Sequence, residues 1–481
     1  MSTTLQFVTA QEAVESKVAT LLIGSKESLE SELAQSVLPA GAAPLWDNMV
    51  SSLSGGDQGD SCQSWLAGET PQRLAIGVLP EHCSRHNSPA HPHAVTSLVK
   101  SNAPGKGDVE IIAVLDKAEY AFATACAIAR AFPLFSRKTS SKAPQQIAIR
   151  FVAREGELPA TSILEHAAEG VRRAGRLVDT PTAELHTTAF AKEAEELAKE
   201  LGVEYKAITG QELAEQGLGG LWNVGRTAMQ PPRLVVLSHN PEGATETYAW
   251  VGKGIVYDTG GLSIKGKTTM PGMKCDMGGA AGVMSAFAAA VKIGFPQRLH
   301  ALLCLAENAV GPDSFRPDDI ITLYSGKTIE INNTDAEGRL VLGDGVAYAS
   351  KHLNPDVIVD MATLTGAQLM ATGKRHAAIV CNDDALEQKA IAAGKVSGDL
   401  VHPLPYCPEF FRKEFKSKVA DMKNSVKDRM NAQSSCAGQF VAEHLVDYNN
   451  AWLHVDIAGP SFTEDRGNGY GVALLLQTFV L

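Results

Sequence analysis

Seven charged residues, six of them in two short segments, have a spacing that could do metal chemistry. The first segment, VGKGIVYDTGGLSIK, holds Lys253, Asp258 and Lys265, and Asp276 follows eleven residues later in MKCDMGGAAG. An apolar strand that opens on a lysine and closes on an aspartate and a double glycine is not how a solvated strand ends. Glycines there let something approach the backbone closely. The second segment, INNTDAEGRL, holds Asp335, Glu337 and Arg339 and begins a helix that runs to about His352. In an extended loop, residues at i and i+2 project to one side, so Asp335 and Glu337 can address one centre. Arg339 places positive charge near a helix start, where backbone N–H groups already favour an anion. Its alternative is an ion pair to a nearby carboxylate.

Any one of these aspartates taken alone reads as a cap or turn residue. Asp258, Asp276, Asp335 and Glu337 together bring four negative charges, which stay ionised side by side only if cations neutralise them. Hard oxygen ligands suit divalent ions, and two ions balance the count. The chemistry leaves Lys253 open between a counter-charge and a ligand, because lysine ligates only as the neutral amine. His300, His376 and His454 have no partner at ligand spacing and there is no HExxH, so they read as structural. The glycines of 252–261 do not form GxGxxG before a helix, which disfavours a dinucleotide site.

The elements that must position these groups alternate along the chain. Strands are predicted at Val18–Ile23, Arg73–Leu79, Asp108–Leu115, Leu234–Leu237, Tyr248–Tyr257, Leu299–Leu305, Val357–Met361 and Leu453–Ile457. Helices are predicted at Ala118–Ala131, Ser162–Gly175, Ala189–Leu201 and Gly278–Ile293. The Gly- and Ser-rich stretch Ser51–Asp60 reads as a surface loop. This alternation implies an α/β protein with a largely parallel sheet covered on both faces, where ligands bind beyond the carboxyl ends of strands. With 481 residues, two domains are expected: an N-terminal α/β domain over 1–160, a connecting helix over 161–180, and a larger domain over 181–481 with a mixed, mostly parallel sheet.

Composition narrows the class. Hydrophobic residues make up 44% and charged residues 20%, as in ordinary globular proteins. A formal charge of −11 without a long basic run argues against nucleic-acid binding. No stretch of about 20 apolar residues suggests a membrane span, and Met1–Lys17 lacks the pattern of a signal peptide. Eight cysteines without a CxxC pair suit a reducing compartment, so the protein is expected in the cytoplasm.

The octapeptide NTDAEGRL, combined with the K-x4-D-x6-K-x10-D spacing, closely resembles the leucine aminopeptidases, the cytosol aminopeptidase family (M17). The resemblance runs from about Gly175 to the C-terminus. Over the first 160 residues only general α/β character is shared with the family's variable N-terminal domain. It implies one metal held by Lys253, Asp258, Asp276 and Glu337 and another by Asp258, Asp335 and Glu337, with Lys253 ligating as a neutral amine. The two divalent ions implied are Zn2+ or Mn2+, with Mg2+ or Co2+ also used in the family. Lys265 is implied as the group that steadies the oxyanion, and Arg339 as the holder of a bicarbonate that acts as general base. Met273, Thr363, Leu364 and Gly366 fall at positions that line the side-chain pocket of similar enzymes, although core packing accounts equally well for Met273 and Leu364. The resemblance further implies peptide substrates with a free N-terminus, a leucine-like preference and a homohexamer. Two departures stand out. Gln433, Ser434, Ser435 and Cys436 replace a small-residue SAGA segment near the pocket, and Gly343 stands where alanine is usual, with little effect expected beyond helix propensity. Two other readings compete: a non-catalytic relative kept as a scaffold, and a different two-metal hydrolase such as a phosphoesterase.

Overall fold

The computed structural model describes residues 3–9, 17–68, 70–139 and 143–481. Much of the stretch weighed above for a signal peptide therefore lies outside the described residues. The chain divides into two compact units. One comprises Met1–Arg172 with Ala393–Leu400, the other Arg173–Ala392 with Val401–Leu481. The division falls within the helix Thr161–Asp179.

The first unit is built on six strands: β1 (Thr3–Val8), β2 (Ala19–Gly24), β3 (Asp60–Leu66), β4 (Gln72–Val78), β5 (Val109–Lys117) and β6 (Gln145–Glu155), in the order β1-β6-β5-β2-β4-β3. All neighbours are parallel except β3 and β4. Central β5 reads VEIIAVLDK and is buried from Val109 to Leu115. That continuous apolar run is what a parallel strand covered on both faces requires.

In the second unit the strands, apart from a two-residue pair at Phe462–Thr463 and Arg466–Gly467, are β7 (Glu204–Thr209), β8 (Arg233–His239), β9 (Thr247–Asp258), β10 (Arg298–Asn308), β11 (Ile320–Thr322), β12 (Thr328–Glu330), β13 (Val357–Ala362), β14 (Ala377–Cys381), β15 (Val401–Pro403), β16 (Met422–Lys423) and β17 (Ala451–Asp456). Eight of them form one sheet, β15-β14-β17-β13-β9-β10-β8-β7, and β11-β12-β16 form a small second sheet. The large sheet is mixed. Its four central strands β17, β13, β9 and β10 run parallel, whereas β8 is antiparallel to β10 and β7, and β14 is antiparallel to β17. All four parallel strands end on polar groups: Asp456, Thr363 just past β13, Asp258 and Asn308. The register sets Asn308 beside Asp258, so the carboxyl edge of this sheet is where polar groups gather.

The helix Gly278–Ile293 (GGAAGVMSAFAAAVKI) is buried from Gly278 to Ala290. Its small residues let it lie on β9 and β13 at backbone distance. A Cβ added at Gly279 would stand 2.0 Å from the Met361 carbonyl oxygen, so no side chain fits there. Among the described residues no helix is long and apolar enough to cross a membrane, and all eight cysteines are free thiols.

Candidate metal centre

Asp258, at the end of β9, is 2% exposed. Its Oδ1 accepts from Asn308 Nδ2 and from Gly260 N, both at 2.8 Å. Asp335 and Glu337 arrive on the loop before the helix Gly338–His352. The carboxylates of Asp258, Asp335 and Glu337 each offer an oxygen within 4.8 Å of the others, a spacing suited to a shared cation. Asp276 follows a short turn, Met273–Cys275, and is joined to this group through Lys253.

Two lysines thread the cluster. Lys253 Nζ lies 2.8 Å from both carboxylate oxygens of Asp276, 2.9 Å from Glu337 Oε1 and 3.0 Å from the Thr363 carbonyl. Lys265 Nζ lies 2.8 Å from Asp258 Oδ2 and 2.5 Å from Asp335 Oδ1. The six groups thus form one buried network, with Asp335 its more open member.

The electrostatics follow from burial against charge. Asp276 is held well above the usual carboxylate range by burial, which Lys253 only partly offsets. Glu337 and Asp335 are raised by burial and then by the charge of Asp258. Burial alone would lower Lys253, but Asp276, Glu337 and Asp258 outweigh it and hold the amine above its ordinary value. Lys265 is raised in the same way, chiefly by Asp258 against burial. In the chain by itself Lys253 is therefore an ammonium, and its implied role as a neutral ligand depends on an ion to displace the proton.

The residues fit a pair of divalent ions. Four carboxylates face two ammonium groups, and Glu337 Oε2 is buried without a hydrogen-bond partner. An unpaired buried carboxylate oxygen is costly unless a cation meets it.

Arg339 is the second residue of the helix and is 4% exposed. It makes no ion pair among the described residues. Nη1 donates to the Asn424 carbonyl (3.0 Å), the guanidinium carbon sits 6.0 Å from the Phe440 ring centroid, and Nε has no hydrogen-bond partner. Burial lowers its pKa to about 10, the nearby Glu337 working against that.

The four expected pocket residues divide. Thr363 belongs to the cluster itself, since its hydroxyl donates to Asp276 Oδ1 (2.9 Å) and its carbonyl takes Lys253. Leu364 is half-buried against the hydrophobic core of this unit. Met273 is half-buried three residues before Asp276, and Gly366 is exposed where the helix Gly366–Ala371 begins.

Sequence reasoning missed the amides and hydroxyl that hold the loops. Asn308 is fully buried and also donates to the Thr334 carbonyl (3.1 Å). Thr334 Oγ1 donates to the Gly260 carbonyl (2.6 Å) and accepts from Ser263 N (2.7 Å), tying the two charged segments together. Asn424 accepts from Asn332 N (2.9 Å) and donates to the Asn333 and Ala336 carbonyls (2.6 and 3.3 Å). The glycine of DAEGR could have been flagged. A Cβ at Gly338 would lie 2.6 Å from Lys253 Cε, so only glycine lets the lysine stem cross the helix start. Gly343 needs a correction. A Cβ there would lie 2.7 Å from Leu323 Cδ2 and 3.0 Å from His444 Cδ2, so the usual alanine would press on its neighbours rather than act through propensity alone.

Comparisons with known proteins show the family. A model of the cytosol aminopeptidase family, catalytic domain, matches residues 172–476, and a model of the M17 aminopeptidase N-terminal domain 2 matches residues 19–141. The likeness therefore reaches into the N-terminal part as well, beyond the Gly175 limit expected above. "Probable aminopeptidase NPEPL1" of Mus musculus is 50% identical over 472 residues, covering 95% of this chain and 89% of that protein. "Leucine aminopeptidase 1" of Caenorhabditis elegans is 43% identical, covering 94% and 93%. Among solved structures, the apo leucyl aminopeptidase of Trypanosoma cruzi superposes with a TM-score of 0.93 at 41% identity, covering 99% and 97% of the two chains. The Trypanosoma brucei leucyl aminopeptidase in complex with bestatin gives 0.92 at 37% identity, covering 100% and 96%.

Proposed function

Because the chain belongs to the cytosol aminopeptidase family, we propose that it is a metal-dependent aminopeptidase that releases the N-terminal residue, preferably leucine-like, from peptides. The observation that carries this reading is the convergence of Asp258, Asp335 and Glu337 on one point, with Lys253 and Asp276 joined to it. Lys253, Asp258, Asp276 and Glu337 would hold one ion, and Asp258, Asp335 and Glu337 the other. When bound, the pair supplies Lewis-acid activation of water and an anchor for the substrate's free amine.

The chain's own groups do the rest. Lys265 is a fixed cation beside Asp258 and Asp335, placed to steady negative charge developing on the scissile carbonyl oxygen. Arg339 keeps Nε free in a buried setting, which suits a small anion such as bicarbonate acting as proton acceptor. Asn308 and Asn424 keep the two loops in register, so the carboxylates do not relax away from one another. Thr363 fixes the carboxylate of Asp276. Met273 and Gly366 would flank the released side chain. Eight free thiols suit a cytoplasmic site of action, and the family resemblance implies a homohexamer acting on short or unstructured peptides.

The test is hydrolysis of a leucine anilide beside an aryl phosphate, each with Mn2+ or Zn2+ and with chelator. Chelator-sensitive cleavage of the anilide alone is expected. Cleavage of the phosphate alone would establish the phosphoesterase reading, and cleavage of neither, with metal bound, a non-catalytic relative.

A further inference from the structure

Residues 425–434 form a strap between the two loops that frame the centre. At one end Asn424 clasps the 332–336 loop and takes Arg339, as described above, and Ser425 N donates to Asn332 Oδ1 (2.9 Å). At the other, Ser434 Oγ donates to Asp456 Oδ2 (3.2 Å). That same carboxylate accepts from Leu364 N (3.0 Å) and Thr365 Oγ1 (2.7 Å), fixing the loop that begins at Thr363.

Between these anchors the strap's backbone is pinned by its acidic neighbours. The buried Glu414 accepts from Asp428 N (3.2 Å) and Asn431 Nδ2 (2.9 Å), and its carbonyl accepts from Lys427 N (3.2 Å). Asp428 Oδ1 accepts from Met430 N (2.9 Å). The basic side chains are treated differently. Lys427 and Arg429 are exposed and make no ion pair among the described residues. Lys413, Lys416 and Lys418, on the segment that carries Glu414, are likewise exposed and unpaired. In a chain of net charge −11 this is a local reversal of sign, carried on a strap bonded to both loops that frame the centre.

We propose that Lys427 and Arg429 bind a carboxylate on the part of the peptide that follows the scissile bond. The preferred substrates are then short peptides whose free C-terminus, or an acidic residue, comes directly after the residue released. This deepens the aminopeptidase reading and rests on it. Arginine pairs with carboxylate through two parallel hydrogen bonds, and lysine adds a mobile point charge.

The Mn2+-loaded full-length enzyme is given Leu-Gly, Leu-Gly-amide, Leu-Glu-amide and Leu-Lys-amide, with leucine anilide as reference. Wild type is expected to favour a carboxylate-bearing substrate over Leu-Lys-amide by about fivefold in kcat/KM, the upper range for an exposed ion pair. The difference should reside in KM and shrink with added salt. A double variant, Lys427→Ala with Arg429→Ala, should bring the ratio close to unity, while Lys427→Arg alone retains it. An advantage confined to Leu-Gly identifies the α-carboxylate, and one confined to Leu-Glu-amide the side chain. Equal rates in wild type, or a preference that survives the double variant, overturn the proposal and leave the aminopeptidase standing. If wild type cleaves neither the peptides nor the anilide, both readings fall together.

Discussion

Each unit of the molecule buries a cluster of charge, and the two are resolved in opposite ways. In the N-terminal unit Glu110, 2% exposed, accepts from Arg150 Nε and Nη2 at 3.1 and 3.0 Å through one oxygen and pairs with Lys17 through the other. One carboxylate meets two cations and every oxygen is used. In the catalytic unit four carboxylates meet two lysines, and Glu337 Oε2 is left without a partner. A buried ion pair is tolerated when its hydrogen bonds are complete. A cluster with surplus negative charge is tolerated when something outside the chain completes it. The first arrangement is complete within the chain, and the second suits a cation.

The sharpest way to break this contrast is Glu337→Gln. Activity on leucine anilide is expected to fall at least about 10³-fold, beyond the loss of a single electrostatic donor. In chelator the same variant should melt no lower than wild type, because one like charge has been removed. A lower melting temperature there would mean that Glu337 is a structural anion like Glu110. Glu110→Gln should behave in the opposite manner, costing about 3–5 kcal/mol in urea unfolding because Arg150 and Lys17 lose their counter-charge, with metal stoichiometry unchanged by elemental analysis. Lys265→Met is expected to lower kcat about 100- to 1000-fold while both ions stay bound. A loss below about tenfold would withdraw its oxyanion role.

The smallest effect concerns pH. Burial pushes the His444 imidazole down to about 3, with Nδ1 2.7 Å from Ser325 Oγ. A histidine whose folded pKa is depressed contributes stability in its neutral form. That stability is present above the unfolded value of about 6.5 and is lost as pH falls towards 3, because the unfolded chain then binds the extra proton. Between pH 7 and pH 5 the loss is about 2 kcal/mol. His444→Phe should flatten that part of the stability profile, and an unchanged slope would show that other groups set it.

Much of the catalytic sheet was legible because its strands are apolar runs bounded by turns. The helix predicted at Gly278–Ile293 has those same bounds in the structure. Strands β1, β3, β6, β7 and β14 and the short β11, β12, β15 and β16 are not among those predicted. In β6, QQIAIRFVARE, a charged residue interrupts the apolar pattern, and only the fold shows that Arg150 is buried against Glu110. In β3, DSCQSWL, polar residues hide an edge strand. The mixed, mostly parallel sheet expected for the larger domain is what the structure has, but which strands run against the rest was not legible, since pairing sense is a property of connections rather than of composition. The charged site residues announced themselves through spacing. Asn308 and Asn424 did not, because a lone amide carries no motif and its role depends on loops that meet only after folding. Thr363, expected as a pocket wall, also bonds Asp276, a contact that no spacing announced.

Gly279 and Gly338 have a bearing on how this protein would respond to saturation mutagenesis. At both positions the added methyl group of alanine would meet atoms that cannot yield cheaply: a peptide oxygen of β13, and the Lys253 stem. A screen scored by turnover alone would rank these two hydrogens beside the acidic side chains, as though they took part in the reaction. Counting folded molecules for each variant would show instead that they act as clearances, the empty space that lets the machinery close to its working tolerance.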